Sequence, residues 1–275
     1  MIDLHSHTNY SDGELSPEAL ITEANRIGFK AVAVTDHDTL SGIAGAFKAG
    51  DGLEMEVISG IEFTTQYRGT EIHLLGYFLP IDDPDLNEYL ADIAKAREKR
   101  GRMIIENVRK LGYDISYDDA VRVANFAPIM SPHILRAMRE KGLIGSTEEA
   151  WQFYKEHLTE GAECAVPHSI DIRDAIEILK KTGCPSAVAH PHKLKNDDLV
   201  ADVIKIGVDG LEAYYPDMDL PTSRKYRKWA EEEGLLATGG SDYHGVFTPR
   251  KLGSGNVPDE VLDNLKAVRD KMRSG

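Results

Sequence analysis

Seven short apolar, β-branched segments alternate with amphipathic stretches along this chain, and most of them run straight into a histidine or a carboxylate. The segments are 2–5, 31–35, 56–64, 71–78, 186–190, 209–215 and 235–241. Residues 31–35 read Ala-Val-Ala-Val-Thr, the near-continuous apolar run that a parallel strand needs when both its faces are covered. Between the segments, apolar residues recur at helical spacing. Leu20, Ala24 and Ile27 line one face of a helix that Ser16 caps, Pro17 opens and Gly28 closes. Strands alternating with helices define an α/β fold with a parallel sheet. Seven such units can close into a distorted barrel or lie open as a doubly wound sheet. No glycine-rich dinucleotide fingerprint follows the first segment, which weighs against the open sheet.

The rhythm breaks once. Residues 80–165 carry helix after helix and no convincing strand, with helices expected at 86–111, 118–124, 132–141 and 147–158. The alternation then resumes, with helices expected at 172–181, 197–206, 221–233 and 258–273. The expected organisation is a barrel domain of residues 1–79 and 166–275, interrupted by a helical insertion or cap domain of residues 80–165.

The formal net charge of -14 repels a nucleic-acid backbone over most of the surface, so long duplex nucleic acid is not an expected partner. Cys164 and Cys184 sit in no paired motif, so neither a disulfide framework nor a cysteine-rich zinc site is expected. The sequence opens on Met1-Ile2-Asp3-Leu4-His5 with no signal-peptide pattern, and no uncharged apolar run is long enough for a bilayer. A cytoplasmic enzyme without a membrane partner is the expectation.

The histidines and acids carry the chemistry. His5 and His7 end the first segment, two residues apart and therefore on one side of a strand. Asp12 follows in the next loop, and His37 follows the second segment. Glu62 lies near the end of the third segment, His73 lies within the fourth, and His190 ends the fifth. Asp242 and His244 follow the last. In a parallel barrel the strand C-termini converge on one face, where active sites are built. A single histidine on a strand is more often structural than a ligand, but six of the ten histidines fall in this one set. Imidazole and carboxylate donors together suit manganese, zinc or iron. Nine ligands exceed one ion's needs and suit two or three divalent ions, with Glu62 as the bridging carboxylate. Asp36 and Asp38 are candidates to orient His37 or a metal-bound water. His192 is placed just beyond the ligands, and His157 and His168 at surface or packing positions. Arg97, Lys99, Arg100 and Arg102 read as a solvated helix face.

Five motifs span nearly the whole chain: His5-Ser6-His7 with Ser11-Asp12-Gly13, Thr35-Asp36-His37-Asp38, Gly60-Ile61-Glu62, Ala189-His190-Pro191, and Gly240-Ser241-Asp242-Tyr243-His244-Gly245. In this order they resemble the polymerase and histidinol phosphatase (PHP) family. That resemblance implies a distorted (β/α)7, TIM-like barrel with a trinuclear metal site. Carried over by position, one ion takes His5, His7, Glu62 and Asp242; a second takes Glu62, His73 and His190; a third takes Asp12, His37 and His244. Asp12 as a carboxylate and the helical insertion resemble the branch of nucleoside 3′,5′-bisphosphate phosphatases and 5′-to-3′ exoribonucleases. So do Ser131-Pro132-His133-Ile134-Leu135-Arg136-Ala137 and Phe153-Tyr154-Lys155. The chain departs from that branch at Ser131, where an arginine is usual, and at His168, where a lysine is common.

The function these readings imply is hydrolysis of a small phosphorylated substrate by a metal-activated water, with Glu62 and Asp242 central to the catalytic cluster. Nucleoside 3′,5′-bisphosphates or short oligonucleotides come first. Ser131, His133, Lys155 and Lys193 are the candidate substrate contacts. The alternatives are a histidinol-phosphate or cyclic-phosphate phosphoesterase, and a non-catalytic metal-bound accessory domain.

Overall fold

The computed structural model describes residues 1–125, 127–159, 161–245, 248 and 250–274. The elements run β1 (Ile2–Asp3), α1 (Pro17–Arg26), β2 (Ala31–Val34), α2 (Ile43–Gly50), β3 (Glu56–Tyr67) and β4 (Thr70–Tyr77). Four helices follow, α3 (Pro84–Lys110), α4 (Tyr117–Ala124), α5 (Ser131–Glu140) and α6 (Thr147–Phe153), the last running into a π-helical turn, Tyr154–Leu158. The chain then returns through α7 (Ile172–Lys181), β5 (Ser186–Val188), a 3-10 turn (Pro191–Leu194), α8 (Asp197–Ile206), β6 (Gly210–Tyr214), α9 (Leu220–Glu232), β7 (Leu236–Gly239) and α10 (Glu260–Ser274). None of these helices is long and apolar enough to cross a membrane.

The seven strands lie in the order β1-β2-β3-β4-β5-β6-β7. The circle closes where the first strand meets the segment after the last. Leu4 N–H donates to Gly239 O at 3.3 Å and His7 N–H to Tyr243 O at 3.0 Å, and Ser6 pairs in parallel with Tyr243. This contact needs Gly240, because a Cβ there would stand 2.3 Å from the Cβ of His5. Asp3 locks the same seam from below, its buried carboxylate accepting from the N–H groups of His5, Ser241 and Gly253. The fold is therefore a seven-stranded α/β barrel.

One expectation of the alternating pattern needs correcting: the barrel is not wholly parallel. β4 runs antiparallel to both β3 and β5. Tyr67-Arg68-Gly69-Thr70 makes a two-residue hairpin turn with φ of 51° at Arg68 and 84° at Gly69, the left-handed pair whose twist suits antiparallel strands. The turn leaves no room for a crossover helix, so the strand must double back. Glu62 and His73 consequently sit inside a long hairpin rather than at strand ends, with Glu62 opposite Leu75 and Thr64 opposite His73.

Helix α3 joins barrel and insertion. Asp83 caps it and Pro84 opens it. Its buried positions Leu86, Leu90 and Ile93 pack into the barrel's outer core against Ile172, Ile176 and Leu179. Ile104, Ile105 and Val108, further along the same stripe, enter a separate core with Ile134, Met138 and Phe153 of the insertion. Each such aliphatic side chain contributes roughly 1.5–3 kcal/mol on full burial, so one helix anchors both cores. Arg97 falls on this stripe and is only 3% exposed, which overturns its reading as part of a solvated face.

Candidate metal centre

The hub of the site is Glu62, 1% exposed in the middle of β3. Its Oε2 faces the Nε2 atoms of His5, His7 and His37 at 3.3, 3.2 and 3.2 Å. Its Oε1 faces His73 Nδ1 at 2.9 Å and His190 Nε2 at 3.1 Å. Five histidines from four segments thus converge on one carboxylate. Asp242 Oδ1 lies 3.2 Å from His7 Nε2 and 3.5 Å from His5 Nε2. Asp12 Oδ1 lies 3.3 Å from His244 Nε2. Three overlapping groups have ligand atoms within 4.8 Å of one another: His5, His7, Glu62 and Asp242; His7, Asp12, His37 and His244; and His37, Glu62 and His73.

Four of these atoms, His5 Nε2, His7 Nε2, Asp12 Oδ1 and Glu62 Oε2, are buried with no hydrogen-bond partner. Buried polar atoms without partners are costly. Here they point toward shared space rather than along hydrogen bonds, the arrangement expected of a donor set built around cations. The electrostatics agree. Burial opposes charge on His7, but the carboxylates of Asp242 and Glu62, each 3.2 Å from its Nε2, outweigh it and push its pKa up to about 9. Burial likewise opposes charge on His73, and Glu62 and Glu71 push it up to about 10. His37 goes the other way, burial pulling it down to about 3. The cluster draws positive charge, and divalent cations can take the place of those protons. The residues present fit such ions.

The ligands are held from behind. Glu212, fully buried on β6, meets His5 Nδ1 at 2.9 Å through Oε1 and accepts from the His190 backbone N–H at 2.7 Å through Oε2. It thereby sets the proton on Nδ1 of His5 and leaves Nε2 to face the centre. His37 Nδ1 meets Thr64 Oγ1 at 3.0 Å, and Arg97 holds that hydroxyl at 2.7 Å while pairing with Asp38. Neither acid beside His37 bonds its ring: Asp38 binds Arg97 and the Thr64 N–H, and Asp36 accepts from Thr8 and Ser11. Asp242 Oδ2 accepts from Tyr215 Oη at 2.6 Å, while Lys193 and Arg250 bond the same phenol at 2.5 and 2.7 Å. Asp38, His190 and Asp242 all adopt positive φ, of 54°, 30° and 50°. This left-handed backbone is uncommon away from glycine and is retained where a side chain must be aimed.

Sequence reasoning missed Glu212, Tyr215, Arg250 and the role of Arg97. Two had a signal. Glu212 is an acid inside an apolar strand, and Arg97 interrupts an apolar helix stripe; a buried charge requires a partner.

Over this floor lies a cleft of about 480 Å³, walled on the far side by the insertion. Ser131 and Lys193 line it. The other two candidate contacts lie elsewhere. His133 is buried, its Nδ1 accepting from the Met130 N–H and its Nε2 donating to Ser11 O, so both nitrogens serve the helix start and the Asp12 loop. Lys155 is exposed and outside the cleft lining. His168 does line the cleft, its Nε2 3.2 Å from Glu71. His157 pairs with Glu163 outside it, and the His192 ring packs against Tyr215.

Residues 3–170 match the PHP domain, and the chain belongs to that family. Among curated proteins it is 31% identical over 253 residues to the 5′-3′ exoribonuclease Rnm of Salmonella typhimurium, covering 88% of this chain and 84% of that one. It is 27% identical over 249 residues to the phosphoribosyl 1,2-cyclic phosphate 1,2-diphosphodiesterase of Eggerthella lenta, covering 89% and 94%. It is 26% identical over 250 residues to the 3′,5′-nucleoside bisphosphate phosphatase of Chromobacterium violaceum, covering 88% and 87%. The chain is a PHP-family metal-dependent phosphoesterase.

Proposed function

We propose that this phosphoesterase cleaves phosphate from nucleotides, with nucleoside 3′,5′-bisphosphates or short oligonucleotides as substrates and three divalent ions at the Glu62 hub. Four partnerless buried ligand atoms, lying in two adjoining donor groups that share His7, carry this reading. His5, His7, Glu62 and Asp242 would hold one ion, Glu62, His73 and His190 a second, and Asp12, His37 and His244 a third. Manganese, zinc or iron suits this donor set. Such ions supply an acidified water and a charged seat for phosphoryl oxygens. The chain's own residues do the rest. Glu62 and Asp242 supply the negative charge that keeps cations close together. Glu212 and Thr64 fix the imidazoles. Lys193 and Arg250, on the cleft wall beside Asp242, present cations to a bound phosphate. No protein nucleophile is required.

The likeness to the cyclic-phosphate diphosphodiesterase supports a second reading, in which a ribose cyclic phosphate is the substrate. Phosphate release from a panel decides between them: a nucleoside 3′,5′-bisphosphate, a 5′-phosphorylated dinucleotide, a ribose 1,2-cyclic phosphate and histidinol phosphate, each with metal-analysed protein and added manganese. The nucleotide reading expects the first two to lead by at least tenfold in kcat/KM. A lead by the cyclic ester would replace it, and no release from any ester would favour a non-catalytic role.

A further inference from the structure

The end of the cleft inside the insertion has a chemistry of its own. Arg139, on α5 one turn past Arg136, lines the cleft, and its Nε is buried without a hydrogen-bond partner. An arginine nitrogen withdrawn from water without a partner is costly until something pairs with it. Trp151 of α6 lines the same cleft, also from the insertion, and is 46% exposed although it is among the largest apolar side chains of the protein. Its indole is set against Tyr154 with centroids 5.8 Å apart and planes at 88°, an edge contact that orients the ring. Leu135 and Ala150 complete an apolar lining there. A forked cation and an oriented aromatic ring on the insertion's side of one cleft fit an anion joined to a flat ring: the guanidinium takes phosphate oxygens in pairs, and the indole stacks a base.

We propose that Arg139 and Trp151 form a second nucleotide subsite, Arg139 binding the phosphodiester that follows the first nucleoside and Trp151 stacking the next base. This rests on the nucleotide reading of the metal centre. It makes the chain a short-oligonucleotide hydrolase in preference to a mononucleotide phosphatase.

Binding separates the two readings. The protein has two tryptophans, and Trp229 stacks on Tyr226 of α9, outside the cleft lining. In a Trp229→Phe background of the metal-loaded protein, Trp151 fluorescence reports the subsite. The probes are a dinucleotide with a non-hydrolysable 5′-phosphonate, the matching mononucleotide and inorganic phosphate. The dinucleotide is expected to quench Trp151 and to bind at least tenfold more tightly than the mononucleotide, and inorganic phosphate is expected not to quench. Arg139→Ala should cut the dinucleotide-to-mononucleotide affinity ratio at least tenfold. Equal affinity for both probes, or a ratio that Arg139→Ala leaves unchanged, overturns the subsite. If Trp229→Phe does not fold, calorimetric titration of the same probes into wild-type and Arg139→Ala protein gives the same ratio. Failure of the nucleotide reading appears elsewhere, as absent phosphate release by the wild type.

Discussion

Glu212→Gln removes one charge and one acceptor from the base of the metal centre while keeping the side-chain volume. The carboxylate serves two donors, His5 Nδ1 at 2.9 Å and His190 N–H at 2.7 Å. Glutamine has one carbonyl oxygen, so it can satisfy only one of them. If the carbonyl stays on the backbone N–H, the amide NH2 faces His5 Nδ1 and favours the other tautomer, which moves the proton to Nε2 and blocks the ligand lone pair. If the amide flips, its NH2 confronts the His190 N–H and the His190 turn, already at a φ of 30°, must shift. A hydrogen bond to a charged group is worth about 1.5–3 kcal/mol, and loss of such an orienting partner weakens metal binding by roughly 10- to 100-fold. Competition against a chromophoric chelator, with elemental analysis of the dialysed protein, reads that loss. A folded Glu212→Gln protein that binds metal within twofold of wild type would refute the argument that this carboxylate sets His5.

Glu62→Gln should bind fewer ions per chain and lose most phosphate release, while His157→Ala, whose contacts with Glu156, Glu163 and Phe153 lie outside the metal centre, keeps both; equal loss in the two would misplace the hub. His133→Ala is expected to lower stability by about 1–3 kcal/mol, since it strands the Met130 N–H and the Ser11 carbonyl, whereas Lys155→Ala leaves Tm and kcat/KM near wild type. Arg97→Ala leaves Asp38 buried without its cation and should cost about 3–5 kcal/mol, read by chemical denaturation; a loss below ~1 kcal/mol would show the pair is screened. Asp3→Asn puts an amide NH2 against a backbone donor at the barrel seam, for an expected loss of about 1–3 kcal/mol in the same assay.

Much of this structure is legible in the residues because strand-end chemistry and strand periodicity coincide. His5, His7, His37 and His190 follow apolar runs, so locating the strands also locates those ligands. Helices at Ile172–Lys181 and Asp197–Ile206 are bounded by the caps Asp171 and Asn196 and have clear apolar faces. Helix α2 is not legible, because Gly42, Gly45 and Gly50 erase both propensity and pattern, and packing of Ile43 and Ala46 against α1 and β2 decides it. The direction of β4 hides for a different reason. Its apolar run looks the same in either direction, and only the two-residue Arg68-Gly69 link, with arginine in a place that usually takes asparagine or glycine, betrays the reversal. Roles in the cleft were the least readable. A helix start such as 131–133 looks the same whether its side chains face a ligand or, as with His133, bind the neighbouring backbone.

The seam that closes the barrel also sets when the centre can exist. The Ser241 N–H reaches the Asp3 carboxylate across a separation of 238 residues, and Asp242 meets His5 and His7 only through that seam. During synthesis the early histidines emerge long before their carboxylate partner. β4 waits in the same way for β5 while the insertion is made, although the insertion has a core of its own. Contacts this distant carry a large loop-closure cost and form late in folding. Assembly of the ion site is therefore expected as the closing event of folding, with the insertion acquiring protection from hydrogen exchange before His5 and His7, just after β1, do.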